Sequence, residues 1–105
     1  MTKYYKAIRD KIPEIIKKSG FDYNAKTLSD DEFLKKLEEK LVEELAEYQE
    51  SKSVEELADI LEVIYRISAL KGISKDQLEK LRITKAHDRG AFEENLFLID
   101  TTKPE

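Results

Sequence analysis

The chain has 105 residues, a net charge of −4 from 19 basic and 23 acidic residues, and no cysteine. This length predicts one domain over residues 1–105, the acidic balance argues against a nucleic-acid polymer as partner, and the lack of cysteine excludes disulfide and thiol chemistry. Charged residues interrupt every apolar run well before the ~18 residues of a membrane span, and the polar N-terminus is unlike a signal peptide. We therefore expect a cytoplasmic protein with no membrane partner.

Capping signals and apolar periodicity predict four helices. They fall at about residues 11–19, 29–50, 53–70 and 74–89. The second and third helices each begin with an S-x-x-E capping-box pattern, Ser29 with Glu32 and Ser53 with Glu56. Gly20 is placed to end the first helix.

The second and third helices carry the predicted core. The second has an apolar stripe at steps of three and four: Leu34, Leu37, Leu41, Leu45 and Tyr48. The third is apolar nearly all round, which predicts a central position in the fold or in a homodimer. The short break at residues 51–52 predicts an antiparallel hairpin. Alternation in residues 22–28 and the apolar tail 92–100 predict a small two-stranded terminal sheet, in a mainly α, four-helix fold.

One stretch of the chain, residues 43–59, is far more acidic than its apolar flanks. Lys52 is its single base. Its seven carboxylates are Glu43, Glu44, Glu47, Glu50, Glu55, Glu56 and Asp59. Like charges at this density weaken a helix, so a bound cation is the natural explanation.

Helical geometry selects four of these carboxylates. At about 100° per residue, Glu44 and Glu47 border the packed face of the second helix, whereas Glu43 points away. Folding the hairpin about its midpoint sets Glu47 opposite Glu56 and Glu44 opposite Asp59, on levels roughly 4.5 Å apart. This arrangement predicts a site for one or two hard divalent cations, Mg²⁺ with Mn²⁺ as a substitute. Two alternatives stay open: Glu56 completes the Ser53 capping box, or Glu44 and Glu47 are solvated edge residues.

Three sequence blocks resemble the all-α NTP pyrophosphohydrolases, the MazG-like and phosphoribosyl-ATP pyrophosphohydrolase-like proteins. The carboxylate pattern is E-E-x-x-E at residues 43–47 followed by E-x-x-D at 56–59. Residues 8–14 resemble the R-D-K-I-P-E opening of a small MazG-like subgroup, and residues 85–93 its K-x-x-x-R-G-G-F-E ending. Ala91 replaces the second glycine of that ending.

The resemblance implies cleavage of a standard or non-standard nucleoside triphosphate between its α and β phosphates, giving a monophosphate and pyrophosphate. It implies that Mg²⁺ is held by four residues: Glu44, Glu47, Glu56 and Asp59. Catalytic roles fall to Glu44 and Glu47, with Glu43 as an outer ligand or base. It also implies a homodimer or a higher homo-oligomer.

An anionic substrate over an acidic site needs basic groups nearby. The candidates are Lys40, Lys85, Arg89, Arg9 and Lys11. Lys85 and Arg89 are four residues apart, so both can face one phosphate group. His87 is a lone histidine on a charged helix end, which favours a bystander. Two other functions stay open: a non-catalytic helical interaction module that uses the acidic hairpin as a partner surface, and hydrolysis of phosphoribosyl-ATP.

Overall fold

The structure is a computed structural model that describes residues 2–105, and it is mainly helical. Its elements in chain order are α1 (Ile12–Lys18), α2 (Asp30–Ser51), α3 (Val54–Leu70) and α4 (Lys75–Arg89). All four helices were predicted, with ends within two residues of those observed. No helix in residues 2–105 combines the length and apolar character that crossing a membrane requires.

Helix caps explain most of these boundaries, and one of them corrects the sequence interpretation. Ser29 and Glu32 form the predicted capping box at the start of α2. At α3, however, the Ser53 hydroxyl accepts from the Glu55 N–H at 3.2 Å, and no reciprocal bond from Glu56 forms. The Glu56 carboxylate is therefore free for another role, and the capping-box alternative for it is wrong.

A connection through a left-handed residue folds α2 and α3 into an antiparallel hairpin. Lys52 has φ 59°, and its N–H donates to the Tyr48 carbonyl at 2.7 Å. The two helices pack against each other along their length, while α4 contacts α3 alone. The hairpin positions the acidic stretch because both helix ends that flank the connection are rich in carboxylates.

The core is small and includes a residue from the N-terminal arm, the non-helical segment of residues 2–11. Ala7, Leu37 and Val63 are buried, and they are flanked by half-buried apolar residues: Phe33, Leu41, Ile67 and Leu70. Ala7 is the most buried of the three, at 4% exposure. The arm is thus anchored in the core beside the α2–α3 hairpin.

Parts of the predicted apolar faces are not covered. Leu45 on α2 and Leu57 and Leu61 on α3 are 45–48% exposed. Leu45 therefore does not belong to the packed stripe of α2. The apolar character of α3 on all sides reflects a buried face around Val63 and a second face that this chain leaves open.

The predicted terminal sheet is absent from the part of the chain that the structure describes. Residues 22–28 and 92–100 are not strands, and neither segment makes a backbone–backbone hydrogen bond. Two strands alone are marginal in water because each needs a further strand or a packed apolar face. Phe92 and Phe97 are almost fully exposed instead, at 99% and 86%.

Candidate metal centre

Carboxylates from α2 and α3 converge in the half of the hairpin nearer to the connection. Oxygen atoms of Glu44, Glu56 and Asp59 lie within 4.8 Å of one another. A second group with the same spacing is formed by Glu43, Glu44 and Glu47, so Glu44 belongs to both. These five residues are called the carboxylate cluster below. Oxygens this close repel strongly unless cations lie among them.

Glu44 is the buried member of the cluster. The residue is 6% exposed. The Nζ of Lys40, one turn earlier on α2, lies 3.2 Å from Oε1 of Glu44. The buried Oε2 of Glu44 has no hydrogen-bond partner within residues 2–105. A buried carboxylate oxygen without a donor is costly, so Glu44 is not the solvated edge residue that the sequence left as an alternative.

Glu56 shares this property. Its Oε2 is also buried and has no hydrogen-bond partner. Burial raises the pKa of Glu56, and the nearby charges of Glu47, Asp59 and Glu44 raise it further. Glu47, which is exposed, also has a raised pKa, chiefly because of the charge of Glu44. Both carboxyl groups thus bind protons more tightly than an isolated glutamate, and a bound cation would oppose this by favouring the charged form.

The predicted direction of the Glu43 side chain is wrong. The helical wheel placed its side chain away from the cluster, but its carboxylate lies with those of Glu44 and Glu47. Lys6 of the arm bonds Glu43 Oε1 at 3.1 Å. Glu43 and Glu47 are four residues apart and lie about 40° from each other on α2, so a cluster that includes Glu47 also has Glu43 beside it.

The N-terminal arm contributes a second base. The Arg9 Nη2 donates to Asp59 Oδ1 at 2.7 Å, which joins the arm to α3. Lys6 joins it to α2, and the buried Ala7 lies between the two bases in sequence. The sequence predicted a phosphate contact for Arg9 and no role for Lys6. The signal that was missed is the pattern K-A-I-R at residues 6–9, two bases three apart beside a small residue that can be buried.

The remaining basic candidates do not touch the cluster in this chain. Lys85 and Arg89 lie exposed on the last turns of α4, which contacts α3 but not α2. Lys11 is exposed at the start of α1. None of the three forms an ion pair among residues 2–105. His87 is exposed, 3.6 Å from the Asp88 carboxylate.

Comparison with other proteins adds no assignment. No protein-family model, no curated protein and no solved structure matches the chain. The geometry and the sequence pattern therefore carry the functional argument.

Proposed function

We propose that the protein is a Mg²⁺-dependent nucleoside triphosphate pyrophosphohydrolase. The observation that carries this proposal is the pair of buried, unpartnered oxygens, Oε2 of Glu44 and Oε2 of Glu56, within a cluster of converging carboxylates. Hard divalent cations prefer oxygen ligands, so such a cluster fits Mg²⁺ or Mn²⁺. The sequence blocks that resemble MazG-like proteins supply the reaction class and the fold family.

The charges of the cluster fit one divalent cation. Three of its five carboxylates have a basic partner: Glu43 with Lys6, Asp59 with Arg9, and Glu44 with Lys40. The two without one are Glu47 and Glu56, whose pKa values are raised. Their two charges equal that of one divalent ion. The cation ligands would be Glu44, Glu47, Glu56 and Asp59.

The chain's own groups have distinct roles in this proposal. When bound, the cation neutralises phosphate charge and lowers the pKa of a coordinated water. Glu43 lies beside Glu44 and Glu47 but outside the other triplet, so we assign it to accept a proton from the attacking water. Lys85 and Arg89 are four residues apart and form no ion pair within residues 2–105, and we assign them to the outer phosphates.

A nucleotide panel tests the proposal. The protein is incubated with standard and modified nucleoside triphosphates and with phosphoribosyl-ATP, in Mg²⁺ or in EDTA, and pyrophosphate is measured. The expected result is Mg²⁺-dependent release of one pyrophosphate per monophosphate formed. Release from phosphoribosyl-ATP alone would favour that narrower substrate. Mg²⁺ binding without release from any nucleotide would favour the non-catalytic interaction module.

We also propose that the protein works as a homodimer or a higher homo-oligomer. The chain exposes 9899 Å², whereas a compact monomer of this size exposes about 6,100 Å². Its radius of gyration is 18.8 Å, against about 13 Å for a compact chain of this length. The excess surface, about 3,800 Å² per chain, is larger than the roughly 1,000–2,500 Å² that each partner of an obligate dimer buries.

The uncovered apolar residues of the hairpin indicate where a second copy packs. Val42 and Leu45 on α2 lie at the same levels of the hairpin as Leu61 and Leu57 on α3, and all four are exposed. Leu57 and Leu61 are each two residues from Asp59, about 200° round the helix, so this surface faces away from the cluster. Light scattering should give a mass of at least two chains, and Leu61→Glu should lower it. A monomer at micromolar concentration would contradict the proposal.

A further inference from the structure

The carboxylate cluster is held partly by residues far away in sequence, and this arrangement has a consequence for the cation. Lys6 and Arg9 come from the N-terminal arm and bond Glu43 and Asp59, which are 37 and 50 residues distant. Ala7, the most buried of the core residues, fixes the arm beside the hairpin. Because the core fixes the position of the arm, Lys6 and Arg9 are held at the carboxylate cluster. Flexible lysines on the surface have no such anchor.

Each arm base acts on a different part of the cluster. Arg9 bonds Asp59 in the triplet that also contains Glu44 and Glu56, and Lys6 bonds Glu43 in the triplet with Glu44 and Glu47. The Arg9–Asp59 bond is the shorter of the two, 2.7 Å against 3.1 Å. The positive charge of the arm therefore reaches both groups of oxygens.

We propose that the N-terminal arm is a built-in counter-ion that competes with the divalent cation and so sets the affinity of the site. This inference rests on the proposed cation site at Glu44, Glu47, Glu56 and Asp59. Each arm charge neutralises one carboxylate and repels an incoming cation, so the site binds the ion less tightly than its carboxylates alone would. In return, the arm stabilises the cluster while no cation is bound.

The alternative role for the arm, to orient Asp59 for the metal, predicts the opposite change in cation affinity when Arg9 is removed. If Arg9 served to orient Asp59 for the metal, its removal would weaken cation binding, as loss of an outer hydrogen-bond partner does. If Arg9 is a counter-ion, its removal tightens binding. The buried Oε2 of Glu44 remains without a partner in either case, so both outcomes concern the same site.

Isothermal titration calorimetry with Mg²⁺ on the full chain tests the proposal. Arg9→Gln should bind Mg²⁺ about tenfold more tightly, the effect of removing a unit charge about 6 Å from a divalent ion at the dielectric constant of water. Arg9→Lys keeps the charge and should stay within about twofold of the unaltered protein. Lys3→Gln is the matched control, since Lys3 is an exposed base of the arm that forms no ion pair within residues 2–105, and it should leave the Mg²⁺ affinity unchanged.

A second readout does not depend on calorimetry. Without Mg²⁺, Arg9→Gln should melt at a lower temperature than the unaltered protein, and saturating Mg²⁺ should raise its melting temperature by more. Lys6→Gln should act in the same direction, which keeps the proposal testable if Arg9→Gln folds poorly. Unchanged or weaker Mg²⁺ binding in both variants, or Arg9→Lys binding as tightly as Arg9→Gln, would overturn the counter-ion role alone. No Mg²⁺ binding by the unaltered protein would overturn the cation site as well.

Discussion

The α2–α3 hairpin and the segment from α4 to the C-terminus make opposite use of similar residues. Both are rich in charges and in large apolar side chains. In the hairpin, bases meet carboxylates and Leu37 and Val63 are buried. In α4, Arg82 pairs with Glu79, but Lys85 and Arg89 form no ion pair within residues 2–105, and Phe92 and Phe97 of the tail are exposed. Composition therefore does not decide burial: the packing of α2 against α3 covers Leu37 and Val63, whereas Phe92 and Phe97 are left uncovered within residues 2–105.

The largest effects should follow from changes in the carboxylate cluster. Glu44→Gln and Asp59→Asn should each reduce Mg²⁺-dependent pyrophosphate release by roughly 100-fold or more, because several kcal/mol of charge stabilisation depend on the cation. Glu50→Gln and Glu55→Gln, on the same two helices but outside the cluster, should change the rate by less than about twofold. Equal losses in all four variants would show that general acidity, and not the cluster, matters.

Substitutions in the core and in the tail should differ almost as sharply in their effect on the free energy of unfolding. Leu37→Ala removes a buried side chain and should lower the free energy of unfolding by about 2–3 kcal/mol. Phe97→Ala changes an 86% exposed residue and should cost less than about 0.5 kcal/mol in a monomer. Urea unfolding at two protein concentrations measures both. A large, concentration-dependent loss for Phe97→Ala would show that the tail packs in an oligomer.

The unpaired bases of α4 should affect substrate binding more than turnover. If Lys85 and Arg89 meet the outer phosphates, Lys85→Gln and Arg89→Gln should each raise KM by about tenfold with kcat nearly unchanged, as loss of a charge-assisted hydrogen bond predicts. Lys80→Gln, an exposed base earlier on α4, is the control. Unchanged KM in both variants would place these bases outside the site.

The smallest effect should be a pH dependence of stability without divalent cations. The folded chain holds protons on Glu47 and Glu56 more tightly than the unfolded chain, since both pKa values are raised above the ordinary 4.5. Folding then takes up protons, so the free energy of unfolding should fall as pH rises from about 4.5 through the raised values. Glu32 and Glu79, whose pKa values are lowered, act below 4.5 in the opposite sense.

Melting temperatures in EDTA and in Mg²⁺ measure this dependence. The charged groups around Glu47 and Glu56 are Glu43, Glu44, Asp59, Lys6, Arg9 and Lys40. Glu56→Gln should reduce the fall in EDTA, and Mg²⁺ should remove it in the unaltered protein because a bound cation favours the charged form of both carboxyl groups. A fall that persists in saturating Mg²⁺ would place its origin elsewhere in the chain.

Local rules were sufficient to predict the helices and part of the cluster. Capping residues and periodicity gave all four helices, and the hairpin midpoint brought carboxylates of α2 and α3 together because helical rise and turn are nearly constant. The rules failed where distant or flexible parts decide the outcome. The contacts of Lys6 and Arg9 span 37 and 50 residues, and a wheel of one helix does not include the arm base that bonds Glu43.

The wrong prediction of a two-stranded terminal sheet has a related cause. Alternation in residues 22–28 describes a strand only if a neighbouring strand or an apolar surface receives it. This chain offers neither to that segment, just as it leaves Leu57 and Leu61 uncovered. Sequence patterns identify which faces must be buried, but not whether the covering surface comes from the same chain.

The connection at Lys52 sets the rotation of α3 relative to α2. Residues 48–55 separate Glu47 from Glu56, and they end one helix, turn the chain at a left-handed lysine and start the next. If the connection kept its shape, one residue inserted in the last turn of α2 would carry α3 about 100° round the α2 axis. Glu56 and Asp59 would then swing away together while each helix stayed intact. The length of this connection is therefore as much a part of the centre as its carboxylates, and a search for similar centres in other chains should fix that spacing first.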